Sequence, residues 1–276
     1  VLPMIETSLL GWRAKIRMGL EYFRQPSAND TDRSVAEFIE ERYGPEAVDY
    51  LAEPLLAGVY GGDPRQLSVT SVLGRFVELD RKYGSLTRGV LAERRLARKA
   101  ARSLPLFQTL RGGLGALVAA LVAAAGSHIT VMAGTAETVI REPDGFRVLV
   151  NDGVVRAAHV VLACQAYASA ALIRSIDPNL AALLDSIPYN SSVTVALGYR
   201  KAGFRHKLNG FGFLVPKRER RRVIACTWVA TKFSHRVPED KVVLRCFLGG
   251  GDEGALSESD DDLVRIVRDE LRDIMG

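Results

Sequence analysis

The chain has 276 residues, of which 47% are hydrophobic and 25% are charged, and its formal net charge is +5. This is enough apolar material for one large domain or two ordinary ones with a buried core. Cys164, Cys226 and Cys246 are too few and too widely spaced for a disulfide framework or a C-x-x-C zinc site, which favours a reducing, cytosolic compartment. Nucleic acid is not expected as a partner, because the basic clusters are not interleaved with aromatic residues.

Helices are predicted over the first part of the chain. Ser34 and Glu37 form an S-x-x-E capping box, which marks the start of a helix. Gly44 and Pro45 then end this helix and begin a second one, which we expect to run to about Leu56.

A glycine-rich segment and two amphipathic helices follow. Residues 58–64 combine glycine, aspartate and proline, so we expect a loop that backbone or ligand can approach closely. A third helix is predicted to carry Val72, Phe76 and Leu79 on one face. Residues 91–102 predict a basic helix whose charge is either simply solvated or attracts an anionic membrane surface or a ligand carrying carboxylates. A second basic cluster spans 217–222.

Short strands are predicted in the middle of the chain. An apolar helix over 114–125, too short to cross a bilayer, is expected to be buried. After it, hairpin signals at 143–145 and 151–153 predict a β-meander. The runs expected to form its strands are 129–132, 137–141, 146–150 and 154–163. The continuously apolar residues 160–163 indicate a strand that is covered on both faces.

A second sheet is predicted after a helical stretch that ends near Ser191. Its strands are expected at 193–199, 223–230 and 242–248. The apolar residues of the last segment recur at helical spacing, so a helix over 263–275 is expected to pack across this sheet.

The residues alone indicate no catalytic group. The glycines at 113–115 and 249–251 do not fit a G-x-G-x-x-G turn, and neither a P-loop nor a G-x-S-x-G elbow is present. The four histidines are scattered singly, so each is expected to be structural rather than a metal ligand or a catalytic base. These observations predict a mixed α and β protein with a ligand-sized apolar interior.

Several segments, in order along the chain, resemble the protoporphyrinogen and coproporphyrinogen oxidase family. They are 34–44, 53–64 with 67–68, 107–113, 160–166, 210–216, 225–238 and 243–250. The resemblance extends from about Pro3 to Met275. It implies an α+β fold with a membrane-associating helical domain over 1–104, the middle β-meander of a p-hydroxybenzoate hydroxylase-type FAD domain over 105–168, and an incomplete substrate domain with a mixed β-sheet over 169–276.

The family's G-x-G-x-x-G Rossmann unit is absent from this sequence. We therefore expect the chain to be an internal part of a longer protein, which alone neither holds FAD tightly nor turns over. In the complete protein, the resemblance implies an oxygen-dependent FAD oxidoreductase of haem biosynthesis. Such an enzyme oxidises protoporphyrinogen IX or coproporphyrinogen III by removing six hydrogens, and it passes the electrons through FAD to molecular oxygen.

The resemblance also implies where the ligands bind. Gly58, Leu214, Thr227 and Phe247 would line the tetrapyrrole slot, and the backbone at Glu137 would meet the adenine side of FAD. Relatives usually have an apolar residue at the position of Thr227 and valine at the position of Glu137. No catalytic side chain is implied, because hydride passes directly from a methylene carbon to the flavin.

Two alternatives stay open. One is another amine oxidase-like flavoenzyme, and the other is a non-catalytic tetrapyrrole-binding or membrane-associated scaffold. The resemblance implies a cytoplasmic protein, either free or peripheral on the cytoplasmic membrane, and it leaves room for a homodimer. The sequence does not choose between the two porphyrinogens, which differ in whether rim substituents are vinyl or propionate; more cations at the rim would favour coproporphyrinogen.

Overall fold

A computed structural model describes residues 2–26, 31–99, 108–151, 153–249 and 253–276. The chain forms two compact units. The large unit comprises Val1–Gln108 and Asn190–Gly276, and the small unit comprises Thr109–Tyr189. Among the described helices, none combines the length and the apolar character that crossing a membrane requires.

The first part of the large unit is helical. Its described helices are α1 (Leu2–Glu6), α2 (Trp12–Leu20), α3 (Val35–Tyr43), α4 (Pro45–Ala47), α5 (Glu53–Tyr60), α6 (Val69–Tyr83) and α7 (Leu86–Lys99). The predicted capping box at the start of α3 is confirmed: the Glu37 N–H donates to Ser34 Oγ at 3.1 Å, and the Ser34 N–H donates to Glu37 Oε2 at 3.0 Å. The predicted junction is confirmed too, because Gly44 ends α3 with a φ of +92° and Pro45 lies in the first turn of α4.

The helical part has an apolar core that also contains buried charges. The core consists of Val35, Phe38, Leu56, Val69, Leu79 and Leu86. Arg42 on α3 donates to both carboxylate oxygens of Asp80 on α6, with the Nε–Oδ1 distance at 2.9 Å. Both side chains are buried. The buried carboxylate of Glu21 accepts the Leu86 N–H at 2.6 Å and thereby caps the beginning of α7.

Two helical predictions need correction, and part of a third falls outside the described residues. The loop expected at 58–64 begins later, because a π-helical turn (Val48–Ala52) joins α4 to α5 and α5 continues through Gly58. Gly61 takes the left-handed conformation instead, with a φ of +65°, and its N–H donates to Ala57 O. Phe76 is 38% exposed and lies outside the helical core, although Leu79 one turn further along α6 is in it. The last three residues of the basic helix, 100–102, lie outside the described residues.

The second part of the large unit is a four-stranded antiparallel sheet. Its strands are β4 (Ser192–Arg200), β5 (Gly212–Leu214), β6 (Val223–Trp228) and β7 (Lys241–Gly249), in the order β4-β7-β6-β5. All described pairings are antiparallel, which differs from the mixed sheet that the resemblance implies. A short helix α11 (Val229–Lys232) follows β6, and α12 (Asp260–Met275) packs on one face through Leu263, Val267 and Leu271, as predicted.

The small unit contains the predicted β-meander. Strands β1 (Ala136–Glu142), β2 (Gly145–Val150) and β3 (Gly153–Ala157) pair antiparallel in sequence order. Of the second hairpin turn, Asp152 lies outside the described residues. The helices of this unit, as described, are α8 (Gly115–Ala125), α9 (Ala166–Ile173) and α10 (Pro178–Asp185). Helix α9 packs against β1 and α10.

Three apolar segments of the small unit differ from the predictions. Residues 129–132 and 160–163 form no strand, and Val161 is 89% exposed. An extended segment becomes a strand only when a neighbour pairs with its backbone, and among the described residues no strand does so. Helix α8 forms where predicted, but it has no buried residue, because the described parts of the chain do not cover it.

Candidate functional site

Leu214, Thr227 and Phe247 lie on the same face of the four-stranded sheet. Leu214 is the register partner of Ala225, and Ala225 is the partner of Phe247. Thr227 lies in the next row, between Gly212 and Arg245. Directly opposed residues of antiparallel strands project from the same face. We call this the open face, because α12 covers the opposite face; the sequence-predicted site residues of the sheet are therefore brought together.

Ala225 lies between Leu214 and Phe247 on the open face, and we call this part of the face the hollow. Leu214 and Phe247 are two strands apart, so their backbones are separated by roughly 9–10 Å. The side chain between them is only the methyl group of Ala225, which is buried and forms the floor. One ring in van der Waals contact with both walls needs about 7–8 Å. The spacing of the strands alone matches the thickness of a single ring system. Leu214 is 42% exposed, whereas Ala225 between the two walls is only 5% exposed.

Gly58 borders the hollow from α5. A Cβ atom at this position would lie 3.0 Å from Leu214 Cδ2 and 3.9 Å from the Ala225 Cβ. Helix α5 is also held to the chain after β5, because the Lys217 N–H donates to Glu53 Oε2 at 3.1 Å. The sequence analysis assigned Gly58 to a loop, but it approaches the site as a helical residue. The absence of its side chain is what lets α5 lie this close to Leu214.

Arg245 is a residue of the open face that the sequence analysis missed. It is exposed, it is the register partner of Thr227, and its guanidinium carbon lies 5.0 Å from the centre of the Phe247 ring. Its position two residues before Phe247 in a predicted strand already places it on the same face. A cation therefore lies directly beside one wall of the hollow.

The basic segment 217–222 lies at the other end of the hollow. Residues of this segment line a groove of about 400 Å³ together with Glu53 and Ala57 of α5. The groove also includes Ile224, one residue before Ala225 on β6, and Gly249, two residues after Phe247 on β7. Two of its arginines form ion pairs, Arg221 with Asp273 and Arg222 with Glu258. Lys217 and Arg220 have no carboxylate within ion-pair distance among the described residues.

Glu137 of the small unit lies at a β-bulge. In the β1–β2 ladder, Ala136 pairs with Val150 and Thr138 pairs with Leu149, so Glu137 has no register partner in the described ladder. Its side chain is exposed. A bulged residue leaves its backbone polar groups outside the regular ladder.

Cys226 and Cys246 form a buried pair beneath the hollow. They are register partners on the face that packs against α12, and their Sγ atoms are 3.6 Å apart. The contact with Cys246 and burial together raise the pKa of the Cys226 thiol. Cys164, in contrast, is exposed.

We expect iodoacetamide at neutral pH to modify Cys164 in the folded protein and to leave Cys226 unmodified. The thiolate is the reactive form, and both burial and a raised pKa keep the Cys226 thiol protonated. Mass spectrometry of peptides from the native and the urea-unfolded protein measures this, with all three cysteines modified in urea. Equal labelling of Cys164 and Cys226 before unfolding would contradict the described packing.

Comparisons with known proteins identify the family to which the chain belongs. The profile of the family described as "Flavin containing amine oxidoreductase" matches residues 2–276. The chain is 30% identical to coproporphyrinogen III oxidase of Bacillus subtilis (strain 168), with 100% of this chain and 59% of the relative covered. It is 28% identical to protoporphyrinogen oxidase 1, chloroplastic, of Arabidopsis thaliana, with 99% and 55% covered.

A solved structure gives a similar result. The putative protoporphyrinogen oxidase from Exiguobacterium sp. 255-15 superimposes with a TM-score of 0.76 at 25% identity, covering 98% of this chain and 58% of that chain. This chain therefore spans less than two thirds of the length of the proteins that it matches.

Proposed function

Because the chain belongs to the flavin containing amine oxidoreductase family, we propose that the full-length protein is an FAD-dependent, oxygen-consuming porphyrinogen oxidase of haem biosynthesis. The observation that carries the proposal is the hollow on the open face. Leu214 and Phe247 flank Ala225 on the same face of the sheet, and Gly58 lets α5 pack against Leu214. The relatives in the comparison are named as oxidases of coproporphyrinogen or protoporphyrinogen.

In this proposal, the residues of the chain bind and orient the substrate. Leu214 and Phe247 contact the two faces of the tetrapyrrole and exclude water from it, while Ala225 and Thr227 set how deeply the ring enters. Bound FAD would supply the redox chemistry, namely hydride acceptance from a ring methylene carbon and electron transfer to oxygen. A side-chain nucleophile is then unnecessary, and the apolar lining of the hollow is consistent with this division of roles.

The bulge at Glu137 supports a flavin site in the small unit. We assign the β-meander to the middle part, residues 105–168, of a p-hydroxybenzoate hydroxylase-type FAD domain, with the backbone at Glu137 on the adenine side of the cofactor. Residues 1–104 would form the helical domain and 169–276 the substrate domain. Chemical-shift or hydrogen-exchange changes at Glu137 on addition of FAD to the full-length protein would test this assignment.

The function is tested by oxidation assays on the full-length protein. We expect oxygen consumption and porphyrin fluorescence with protoporphyrinogen IX or coproporphyrinogen III, and none with putrescine as a representative amine. Oxidation of putrescine alone would favour an amine oxidase. A full-length protein that binds porphyrin but no flavin, and oxidises neither class, would favour the non-catalytic scaffold.

The proposal includes contact with an anionic membrane surface through α2. Trp12, Ile16 and Leu20 recur at intervals of four residues and are exposed, with Trp12 at 71%, and Phe23 extends the same ridge. Arg13 and Lys15 lie beside it, with Lys15 Nζ 4.9 Å from the centre of the Trp12 ring. An exposed apolar ridge flanked by cations favours adsorption to anionic lipid. The sequence analysis had assigned this contact to residues 91–102.

Replacing Trp12 and Ile16 with alanine should weaken retention on anionic vesicles about tenfold or more, because two apolar side chains no longer enter the lipid. Co-sedimentation with phosphatidylserine-containing and with purely zwitterionic vesicles measures this. The comparison variant is Leu96→Ala, which removes an equally exposed side chain from α7. If only Leu96→Ala reduced retention on the vesicles, the membrane contact would lie on α7. If the unmodified protein bound anionic and zwitterionic vesicles equally, the proposed contact with an anionic surface would be wrong.

A further inference from the structure

A pocket of about 370 Å³ lies on the other face of the four-stranded sheet, the face that packs against α12. It is formed where the loop after β4 meets the C-terminal half of α12. We call it the α12 pocket, and the lining residues that matter here are Tyr199, Phe204, Arg205, His206, Arg268 and Arg272. The sheet separates it from the open face, so it is distinct from the proposed tetrapyrrole site.

Part of the lining of the α12 pocket is apolar. The rings of Tyr199 and Phe204 have their centres 5.5 Å apart and are tilted by 51°. The buried side chains of Leu244 and Leu271 also line the pocket. Apolar and aromatic side chains in a concave site of about 300–1,000 Å³ are typical of small-molecule pockets. The volume therefore suits a ligand with one ring or a short alkyl chain.

The remaining lining is positively charged. Arg205 belongs to the loop after β4, whereas Arg268 and Arg272 are one turn apart on the same side of α12. Arg272 pairs with Asp269 at 2.9 Å. For Arg205 and Arg268, the part of the chain that the structure describes offers no carboxylate within ion-pair distance. Two guanidinium groups from different elements are thus available to one anion.

Tyr199 shows that the charges act inside the α12 pocket. Burial raises the pKa of its hydroxyl, while the positive charges of Arg268 and Arg272 act in the opposite direction. Both guanidinium groups therefore lie near enough to stabilise negative charge at the edge of the apolar lining. An anionic oxygen placed there would be attracted by the same charges.

Two buried polar atoms beside these cations have no hydrogen-bond partner among the described residues. They are His206 Nδ1 and Trp228 Nε1, and the centres of the two rings are 5.5 Å apart. His206 lines the α12 pocket, and Trp228, which is only 6% exposed, lies next to it. Buried polar groups are normally hydrogen-bonded, and the indole N–H can only donate. This end of the pocket is therefore suited to a ligand group with several acceptor oxygens.

We propose that the α12 pocket binds a small phosphate monoester, with its phosphate between Arg205 and Arg268 and its apolar group against Tyr199 and Phe204. A phosphate fits better than a carboxylate, because it offers three acceptor oxygens and up to two negative charges to the guanidinium groups. The C-terminal end of a helix disfavours an anion, so cations from both the loop and α12 are needed. The apolar group is either aromatic or alkyl, and the experiment distinguishes these.

Calorimetric titration with phenyl phosphate tests the proposal on the full-length protein, after saturation with FAD and removal of the excess. We expect saturable binding of phenyl phosphate. Inorganic phosphate, phenol and benzoate should each bind at least about tenfold more weakly, because each lacks either the apolar group or the doubly charged phosphate. A tighter Kd for hexyl phosphate than for phenyl phosphate would assign an alkyl ester as the ligand, and a weaker one would assign an aromatic ester.

Variants locate the binding. Arg205→Gln and Arg268→Gln should each weaken the binding of phenyl phosphate about tenfold or more, the loss typical of a charge-assisted hydrogen bond. The matched control is Arg265→Gln, since Arg265 is also an exposed arginine on α12, pairs with Asp262 and lies outside the lining of the pocket. It should leave the Kd unchanged.

Three results would overturn the proposal. They are no saturable binding to the full-length protein, binding that neither Arg205→Gln nor Arg268→Gln weakens, and an equal loss in the Arg265→Gln control, which would show unspecific attraction to positive charge. All three variants change exposed side chains on the face opposite the hollow. Their porphyrinogen oxidation is assayed separately, so failure of the α12 pocket leaves the proposed function standing.

Discussion

Replacing Asp80 with alanine is expected to lower the free energy of unfolding of the large unit by about 3–5 kcal/mol. The carboxylate is the buried ion-pair partner of Arg42, whose side chain is 1% exposed, while that of Asp80 is 7% exposed. A second partner of Arg42, Glu41 at 3.3 Å, is 37% exposed and cannot replace both hydrogen bonds to Asp80. Its removal leaves a guanidinium charge in the core between α3 and α6, where water cannot solvate it. Urea denaturation followed by circular dichroism in the helical band measures the change.

Two further variants identify the cause of that loss. Asp49→Ala removes the carboxylate of an exposed Arg–Asp pair, Arg65–Asp49, and should cost at most about 1 kcal/mol. The double substitution Arg42→Met/Asp80→Leu removes both buried charges and should recover most of the stability that Asp80→Ala loses. If Asp80→Ala were as mild as Asp49→Ala, the described burial of the ion pair would be wrong.

The second large effect is expected from Gly58→Val in the full-length enzyme. The new Cβ would lie 3.0 Å from Leu214 Cδ2, and the valine methyl groups would extend further, so the Leu214 side chain must shift away from α5. If the displaced wall weakens binding of the ring by about 1–3 kcal/mol, kcat/KM for the porphyrinogen falls about 10- to 100-fold. Steady-state assays detect it, and the loss should appear mainly in KM because Gly58 affects binding of the ring.

Gly74 provides the matched control. It is also a helical glycine, on α6, and a Cβ there would meet no atom within 4 Å. Gly74→Val should therefore keep full activity. Adding Leu214→Ala to Gly58→Val removes the collision and should restore part of the binding, a coupling that a double-mutant cycle quantifies. Full activity of Gly58→Val would show that α5 does not approach the hollow as described.

The sequence indicated which side chains share a face of the sheet better than it indicated the burial of segments in the small unit. Alternation along β5, β6 and β7 determines which side chains share a face, so Leu214, Thr227 and Phe247 could be grouped once the strands and their pairing were known. The identity of the floor could not be predicted, because it depends on the register that brings Ala225 between the two walls. Arg245 was overlooked although the same alternation places it there.

The errors have a common physical origin. Residues 160–163 and α8 were expected to be buried from their apolar composition, but burial depends on neighbours that composition does not reveal. Gly58 was placed in a loop because three glycines cluster in residues 58–64, yet within this segment only Gly61 adopts a positive φ. In both cases the local sequence allowed more than one conformation, and contacts distant in sequence decided between them.

The two faces of the four-stranded sheet have different roles, since one packs against α12 in the core and the other is the proposed ligand-binding face. Residues that pack against α12 are fixed by the core, whereas their strand neighbours Thr194, Ala196, Thr227 and Arg245 are not in it. Exchanges at these four positions alter little buried surface, so the scaffold can accumulate them without losing its fold. Ligand preference in this protein is therefore readily evolvable, and a combinatorial library at the four positions would sample new acidic ring compounds on an unchanged framework.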